Sequence, residues 1–419
     1  MDFANLLASA GSITWEIIVF IILIGILVAV HEFGHFIVAK MVGVGVIKFS
    51  IGFGKVICKR AFGDTVYQIC WIPLGGYVRL VGDVPDPITG TEPTDSAVRN
   101  NDEVEVNDDP DMTPAIKAML KDRSRWFIEK GFWAKTAIVF AGPFFNLVLA
   151  FIVYLFTTAF YGEASLKDEP IIGEVTAESP AAAAGLIAED KVLSINDNII
   201  SEWTRLAELI HQSGGNLLKL RVLRNGEEMS FTVQPALGDI ENIETAKKES
   251  FYFIGIKRKE LFDRKFIPLM EVPVSAFNRT VFFTAKTYYG LWQMVTGQVS
   301  SRNLAGPIFI FKEAGRQANK GLEYFLHFLA ILSVSLAVIN LLPIPILDGG
   351  HILFFTLEAL VGEISMRKKE MAQQVGLALI LALMVFVIHN DISNRWRRTG
   401  QIEWKDKVKQ TAPQQTAGD

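Results

Sequence analysis

The sequence predicts a polytopic α-helical membrane protein of about four transmembrane helices, with a β-hairpin after the first span and a small inserted α/β module. Three observations carry that reading. Half of the 419 residues are apolar and only 21% are charged, with a mean hydropathy of +0.29, lean in charge for a water-soluble chain of this length. Four stretches have the roughly 17–25 mostly apolar residues that a bilayer crossing needs. Between them lie shorter runs rich in β-branched and aromatic residues, punctuated by turn-forming pairs. The length leaves room for two or three domains. A net charge of −4 and a pI near 6.0 argue against nucleic acid as a partner. Cys58 and Cys70 make neither a disulfide framework nor a metal knuckle, and are expected as free thiols.

The first span covers about Trp15–Val38, within a segment 1–48. Asp2 and Glu16 stand where a signal peptide would be basic. The run Ile17–Val30 also leads into His31 rather than a small-residue cleavage site, so this helix is expected to be retained. Segment 49–132 follows. Thr65–Ile72 and Tyr77–Val81 flank Pro73-Leu74-Gly75-Gly76, a strand–turn–strand signal at 65–81. Asp83–Pro114 holds ten acidic residues, one arginine and several prolines. It cannot bury a core, and is expected as a flexible loop.

The second span, Trp133–Tyr161, has aromatic residues at both ends, as an interfacial belt requires. Next comes the α/β module at 168–257, with strands at Ile171–Val175, Lys191–Ile195, Leu218–Leu223 and Ser230–Val233 and a helix near Glu202–Gln212. Asn225-Gly226 marks a hairpin between the last two strands. The run Ser179-Pro180-Ala181-Ala182-Ala183-Ala184-Gly185-Leu186, followed by Asp190-Lys191-Val192-Leu193-Ser194-Ile195-Asn196, resembles a bacterial PDZ domain. In the linker 258–324, Pro273–Gly297 is amphipathic, carries Arg279 and Lys286, and suits a helix lying on the membrane surface. The third span, 325–361, runs Phe325–Leu342, breaks at Pro343 and Pro345 and resumes at Ile352–Val361. The fourth, Gln374–His389 within 370–391, is short, and a polar tail 392–419 ends the chain.

Basic residues set the orientation. Lys40, Lys48, Lys55, Lys59, Arg60, Arg123, Arg125 and Lys130 flank the first connection, and Arg367-Lys368-Lys369 join the last two spans. Both sets are cytoplasmic if the N-terminus lies outside, which puts the α/β module outside as well. Arg395, Arg397 and Arg398 pull the other way.

His31-Glu32-Phe33-Gly34-His35 is an H-E-x-x-H motif. On a helix, positions i and i+4 share a face, so two imidazoles can bind one zinc while the intervening Glu32 acts on a water as general base. Charged and polar groups at the end of an apolar span are costly, so they mark function rather than packing. A tetrahedral site needs a third protein ligand. In Asn340-Leu341-Leu342-Pro343-Ile344-Pro345-Ile346-Leu347-Asp348-Gly349-Gly350-His351 the prolines stop a helix and the glycines admit close backbone approach. Irregular backbone at membrane depth survives where it lines a cavity. Asp348 is therefore the expected third ligand, with helix capping as its alternative and His351 as a competing ligand.

His31–His35, Gly142-Pro143-Phe144-Phe145-Asn146, and the stretch from Asn340 through Asp348-Gly349-Gly350 together resemble the site-2 protease family of intramembrane zinc metalloproteases. Asn303-Leu304-Ala305-Gly306-Pro307 also matches that family. The order of spans and module fits its bacterial regulator-of-sigma-E type, which cleaves anti-sigma factors. That resemblance implies zinc on His31, His35 and Asp348, with Glu32 as base. It implies substrate contacts at Asn340 and Asn146 and along a membrane-associated, re-entrant β-hairpin that includes Gly75, Gly76 and Tyr77. It further implies a bacterial inner-membrane location with the PDZ-like module periplasmic and filtering by size. Expected partners are membrane lipid and single-pass membrane proteins, such as anti-sigma factors already trimmed by another protease, or signal-peptide remnants. Some members carry tandem PDZ modules where one is legible here, and the acidic loop is longer than usual.

The other histidines suggest blander roles: His327 hydrogen-bonded between helices, His211 on the module surface, His389 as a polar cap. Three rival readings remain at this stage. A different zinc protease would use a downstream Glu, a non-enzymatic scaffold would leave the intramembrane polar clusters unexplained, and a zinc transporter would need more intramembrane ligands.

Overall fold

The computed structural model describes residues 3–82, 113–241, 248–259, 261–299 and 304–395. Most of the acidic stretch, residues 83–112, lies outside them, as do Asn303 and the tail beyond 395. The chain divides into two compact units. One comprises Met1–Phe160, Pro268–Tyr289 and Ala305–Ile388; the other comprises Tyr161–Ile267, Gly290–Leu304 and His389–Asp419.

The first unit begins with helix α1 (Phe3–Met41), whose Thr14–Met41 portion is long and apolar enough to cross a membrane. Strands β1 (Val46–Phe62) and β2 (Thr65–Leu80) follow. Here the structure corrects the expected hairpin. Its turn is at Gly63-Asp64, with Phe62 opposite Thr65, and Pro73-Leu74-Gly75-Gly76 lies inside β2. Residues 65–72 and 77–81 do not pair with each other. The arm 46–51 lies between them, so that Phe49 faces both Tyr67 and Val78, and Ile51 faces both Ile69 and Gly76. A Pro-Gly-rich stretch is compatible with a turn or with an irregular crossover, and local sequence does not say which strand fills the space.

The hairpin is fastened to the end of α1. Phe36, Ala39, Val44, Val46 and Leu80 share one core with Phe127 and Ile138. The Asp64 carboxylate pairs with the Lys40 ammonium and, at 2.6 Å, with Arg125. Burial works to raise its pKa, but the two cations outweigh it and hold the group at about 2. Helix α2 (Pro114–Lys121), which begins where the expected flexible loop ends, is capped by Thr113. It buries Ile116, Met119 and Leu120 against Ile47, Val66 and Val81.

Helix α3 (Phe132–Tyr161) is the second candidate span. The rest of this unit uses most of α6 (Val272–Val295), all of α7 (Pro307–Lys320), α8 (Leu322–Asn340) and α9 (Asp348–Val361), and most of α10 (Met366–Arg395), numbered with the two module helices below. Helix α7 escaped the sequence reading. The fourth span, Met366–Ser393, is longer than expected.

The second unit holds β3 (Glu163–Leu166), β4 (Ile172–Val175), α4 (Pro180–Ala183), β5 (Lys191–Ile195), β6 (Asn198–Ile199) and α5 (Trp203–His211). It continues through β7 (Leu218–Arg224), β8 (Glu227–Val233), β9 (Ala236–Glu241), β10 (Lys248–Phe253), β11 (Ile256–Arg258) and β12 (Phe262–Lys265). Its main sheet runs β6-β5-β7-β8. The β7–β8 turn puts Asn225 at φ 51° and Gly226 at φ 88°, the backbone that an Asn-Gly hairpin supplies. Alternate residues Leu218, Leu220 and Val222 join Ile172, Val192, Ile195, Leu206 and Ile254 in the core. Asp190 is fully buried and accepts two 2.7 Å bonds from Arg224 and one from the Ile187 amide. His211, expected on the module surface, is half-buried. It packs on Phe251 and Phe253, and burial lowers its pKa.

Candidate metal centre

Helix periodicity builds the site. His31 and His35 are one turn apart on α1, and their Nε2 atoms face each other at 3.2 Å. On α3 a four-residue ladder, Ile138, Gly142, Asn146, turns the same face toward them. The Ile138 carbonyl accepts a 2.8 Å bond from His35 Nδ1. A Cβ on Gly142 would sit 2.3 Å from His35 Nε2 and 2.8 Å from His31 Cε1, so only glycine leaves room for the two rings. Asn146, fully buried, lies with its amide 3.1 Å from His31 Nδ1. Gly34 repeats the theme from the other side, since a Cβ there would meet the Ala141 carbonyl at 2.4 Å.

The third component comes from the break between α8 and α9. Residues 341–347 are non-helical, and Ile346 holds φ at 95°, a strained conformation for a β-branched residue. Cβ atoms on Gly349 and Gly350 would lie 2.3 and 2.2 Å from the carbonyls of Leu342 and Ile344, so the glycines let α9 start against its own connection. Asp348 is the first residue of α9, and its N-cap is Leu347, so the carboxylate does not cap the helix. It reaches the histidines instead: Oδ2 is 3.2 Å from His31 Nε2 and Oδ1 is 3.7 Å from His35 Nε2.

These three residues fit a metal ion. One donor atom from each lies within 4.8 Å of the others. Ligand atoms on one tetrahedral zinc are roughly 3.3 Å apart, given zinc–nitrogen bonds of about 2.0–2.1 Å. Despite its nearness to His31, Asp348 Oδ2 is buried without a hydrogen bond of acceptable geometry. His35 gives its Nδ1 proton to a carbonyl, which leaves Nε2 with a free lone pair. Two imidazoles and a carboxylate form a donor set suited to zinc. His351, the competing ligand, is outside this group and packs on Phe355.

The chain matches peptidase family M50 over residues 19–383. It belongs to that family. M50 is the site-2 protease family, and its members sit in membranes. A putative zinc metalloprotease of Mesorhizobium japonicum is 34% identical, aligned over 89% of this chain and 97% of its own. Zinc metalloprotease RasP of Geobacillus kaustophilus is 32% identical over 90% and 97%. Regulator of sigma-E protease RseP of Salmonella typhimurium is 29% identical over 91% and 99%. This M50 chain is a zinc metalloprotease.

Around the M50 site the remaining residues divide. Asn340, the last residue of α8, has its amide 3.4 Å from His31 Nε2. Gly76 touches the site from the hairpin, where a Cβ would lie 2.9 Å from Glu32 Cγ and 2.7 Å from the Ser50 carbonyl. Gly75 and Tyr77 serve the hairpin itself. Gly75 has φ 153° and admits the Phe53 ring, which stacks on Tyr77 at 6.3 Å. The Tyr77 hydroxyl accepts from Gln68. His327 packs against both the Tyr154 and Phe283 rings, and His389 lies inside α10, 3.3 Å from the Ser393 hydroxyl. Sequence reasoning had Gly142 only as part of a motif, with no role beside the histidines, and did not find the Ile138 carbonyl. Their i, i+4 spacing with Asn146 was the available signal.

Proposed function

We propose that this protein is an intramembrane endoprotease that hydrolyses peptide bonds within transmembrane segments of single-pass membrane proteins, with zinc held by His31, His35 and Asp348. One observation supports this above all. The three donor residues converge from within one apolar span and from the break beyond another, in a family of zinc proteases. Bound zinc supplies Lewis acidity and draws the pKa of water towards about 7. Glu32 takes the proton of the attacking water as its oxygen adds to the peptide carbonyl carbon. It returns that proton to the leaving nitrogen as the C–N bond breaks. The Asn340 amide, beside His31, donates to the oxyanion or to the substrate backbone.

A helical substrate hides its carbonyls, so a segment must unwind to be cut. The hairpin, whose Gly76 abuts Glu32, gives that segment an edge to pair with. The protein lies in the bacterial inner membrane, with the second unit's α/β module as a periplasmic PDZ-like size filter. Its substrates are anti-sigma-factor-like proteins trimmed by an earlier protease, or signal-peptide remnants, cut in regulated intramembrane proteolysis. A relative named regulator of sigma-E protease supports that class.

The test is Glu32→Gln. The variant is expected to fold, to retain zinc at one equivalent, and to cut a designed transmembrane substrate at least about 100-fold more slowly. Cleavage at the wild-type rate would sink the role of Glu32. A wild-type protein that takes up no zinc would sink the site.

A further inference from the structure

Two amide contacts converge on His31 and cannot both be satisfied with the amides turned as their nitrogens suggest. Asn146 Nδ2 faces His31 Nδ1 at 3.1 Å, and Asn340 Nδ2 faces His31 Nε2 at 3.4 Å. If both amides donated, His31 would have to accept at both ring nitrogens, and a neutral imidazole always carries one N–H. The two ends of an asparagine amide have the same shape, so their partners decide which end faces the ring. Here the decisive partner is the other end of Asn146: its Oδ1 is buried and has no hydrogen bond. Turning the amide by 180° gives that oxygen the Nδ1–H of His31, and the ring then carries one N–H and one lone pair, as a neutral imidazole must. Turning Asn340 instead would leave Asn146 Oδ1 stranded and place the ring proton on Nε2, the atom that faces His35 and Asp348.

We propose that Asn146 is a positioning residue whose side-chain oxygen accepts the Nδ1 proton of His31, locking the tautomer that presents a bare Nε2 to the metal. The assignment rests on the zinc site proposed above and alters the expected role of Asn146, which is fully buried behind the ring, from substrate contact to support. His35 obtains the same service from the Ile138 carbonyl two ladder steps earlier on α3. One helix face thus fixes both tautomers with two oxygen acceptors eight residues apart, and Gly142 between them leaves space for the rings. The backbone is pinned at the same place, because Ser333 on α8 donates a 2.7 Å bond to the Asn146 carbonyl. A side chain so held can orient an imidazole through one bond of ordinary strength.

The two orientations predict opposite behaviour for Asn146→Asp, which can only accept. Zinc affinity of the purified full-length protein in detergent is read by competition with a chromophoric chelator. Asn146→Asp is expected within about threefold of wild type, and Asn146→Leu is expected to bind about 10–100-fold more weakly. If Asn146→Asp falls as far as Asn146→Leu, or if Asn146→Leu binds like wild type, the assignment is wrong. A measurement on zinc-free wild-type protein guards against variants that do not fold. With 15N-labelled histidine, and His31→Gln to identify the signal, His31 should show a protonated Nδ1 and a bare Nε2; the reverse pattern overturns the proposal. Failure of wild-type protein to bind zinc would count against the metal site itself and leave the tautomer measurement standing as the test of Asn146.

Discussion

The two units of this chain are held together by opposite uses of side-chain volume. The α/β module is stabilised by side chains that are present. Thirteen buried residues, among them Ile172, Val192, Ile195, Leu206, Leu220 and Ile254, form one apolar core. The helical unit depends at its centre on side chains that are missing: Gly34, Gly142, Gly349 and Gly350 each admit a backbone or imidazole where a Cβ would clash. The difference follows from the solvent. In water, burying apolar area drives packing. Between apolar spans there is little such drive, so close backbone contact and buried polar bonds do that work, and small residues permit both.

The largest effect expected from this contrast is at Gly142. Gly142→Ala adds one carbon 2.3 Å from His35 Nε2. It is expected to weaken zinc binding at least about 10-fold and to abolish cleavage. Gly25→Ala is the control, because nothing lies within 4 Å of a Cβ built there. It should leave zinc content unchanged. Zinc measured by mass spectrometry decides, and equal loss in both variants would break the comparison.

The converse experiment removes volume from the module. Leu220 is fully buried, and Leu220→Ala should cost about 2–5 kcal/mol. Hydrogen exchange of the β7 amides would then accelerate roughly 30-fold or more, with zinc affinity unchanged. Exchange at the wild-type rate would show that the core is less decisive than its burial implies.

The smallest effect concerns the ion cluster at the hairpin turn. Asp64 has its pKa lowered to about 2 by Lys40 and Arg125 against the opposing effect of burial. A depressed carboxylate stabilises the folded state above its unfolded pKa of about 3.9. That contribution, about 1 kcal/mol or less for a pair in contact with solvent, should fade as pH falls from about 4 through about 2. Asp64→Asn should lower the melting temperature slightly at pH 7 and by much less at pH 2, where the carboxylate is about half protonated in the folded state. An undiminished difference at pH 2 would rule out this linkage.

Local sequence was enough for features whose physics is local. The four spans, the paired histidines on one helix face, the break before Asp348 and the Asn225-Gly226 turn each follow from periodicity or from the backbone freedom of a few adjacent residues. What remained closed were choices between partners far apart in the chain. The stretch Pro73-Leu74-Gly75-Gly76 looks like a hairpin turn, but the arm 46–51 fills the space between its flanks, and the turn moves to Gly63-Asp64. Thr113 and Pro114 could have signalled the start of α2, yet its helix is stabilised by Ile47, Val66 and Val81, more than thirty residues earlier. Asn146 was legible as a motif residue and its role was not, because His31 stands 115 positions away. Sequence patterns report which face of an element is apolar or polar. Only the packed structure decides which face meets which, since that outcome minimises clashes and unpaired polar groups over the whole chain at once.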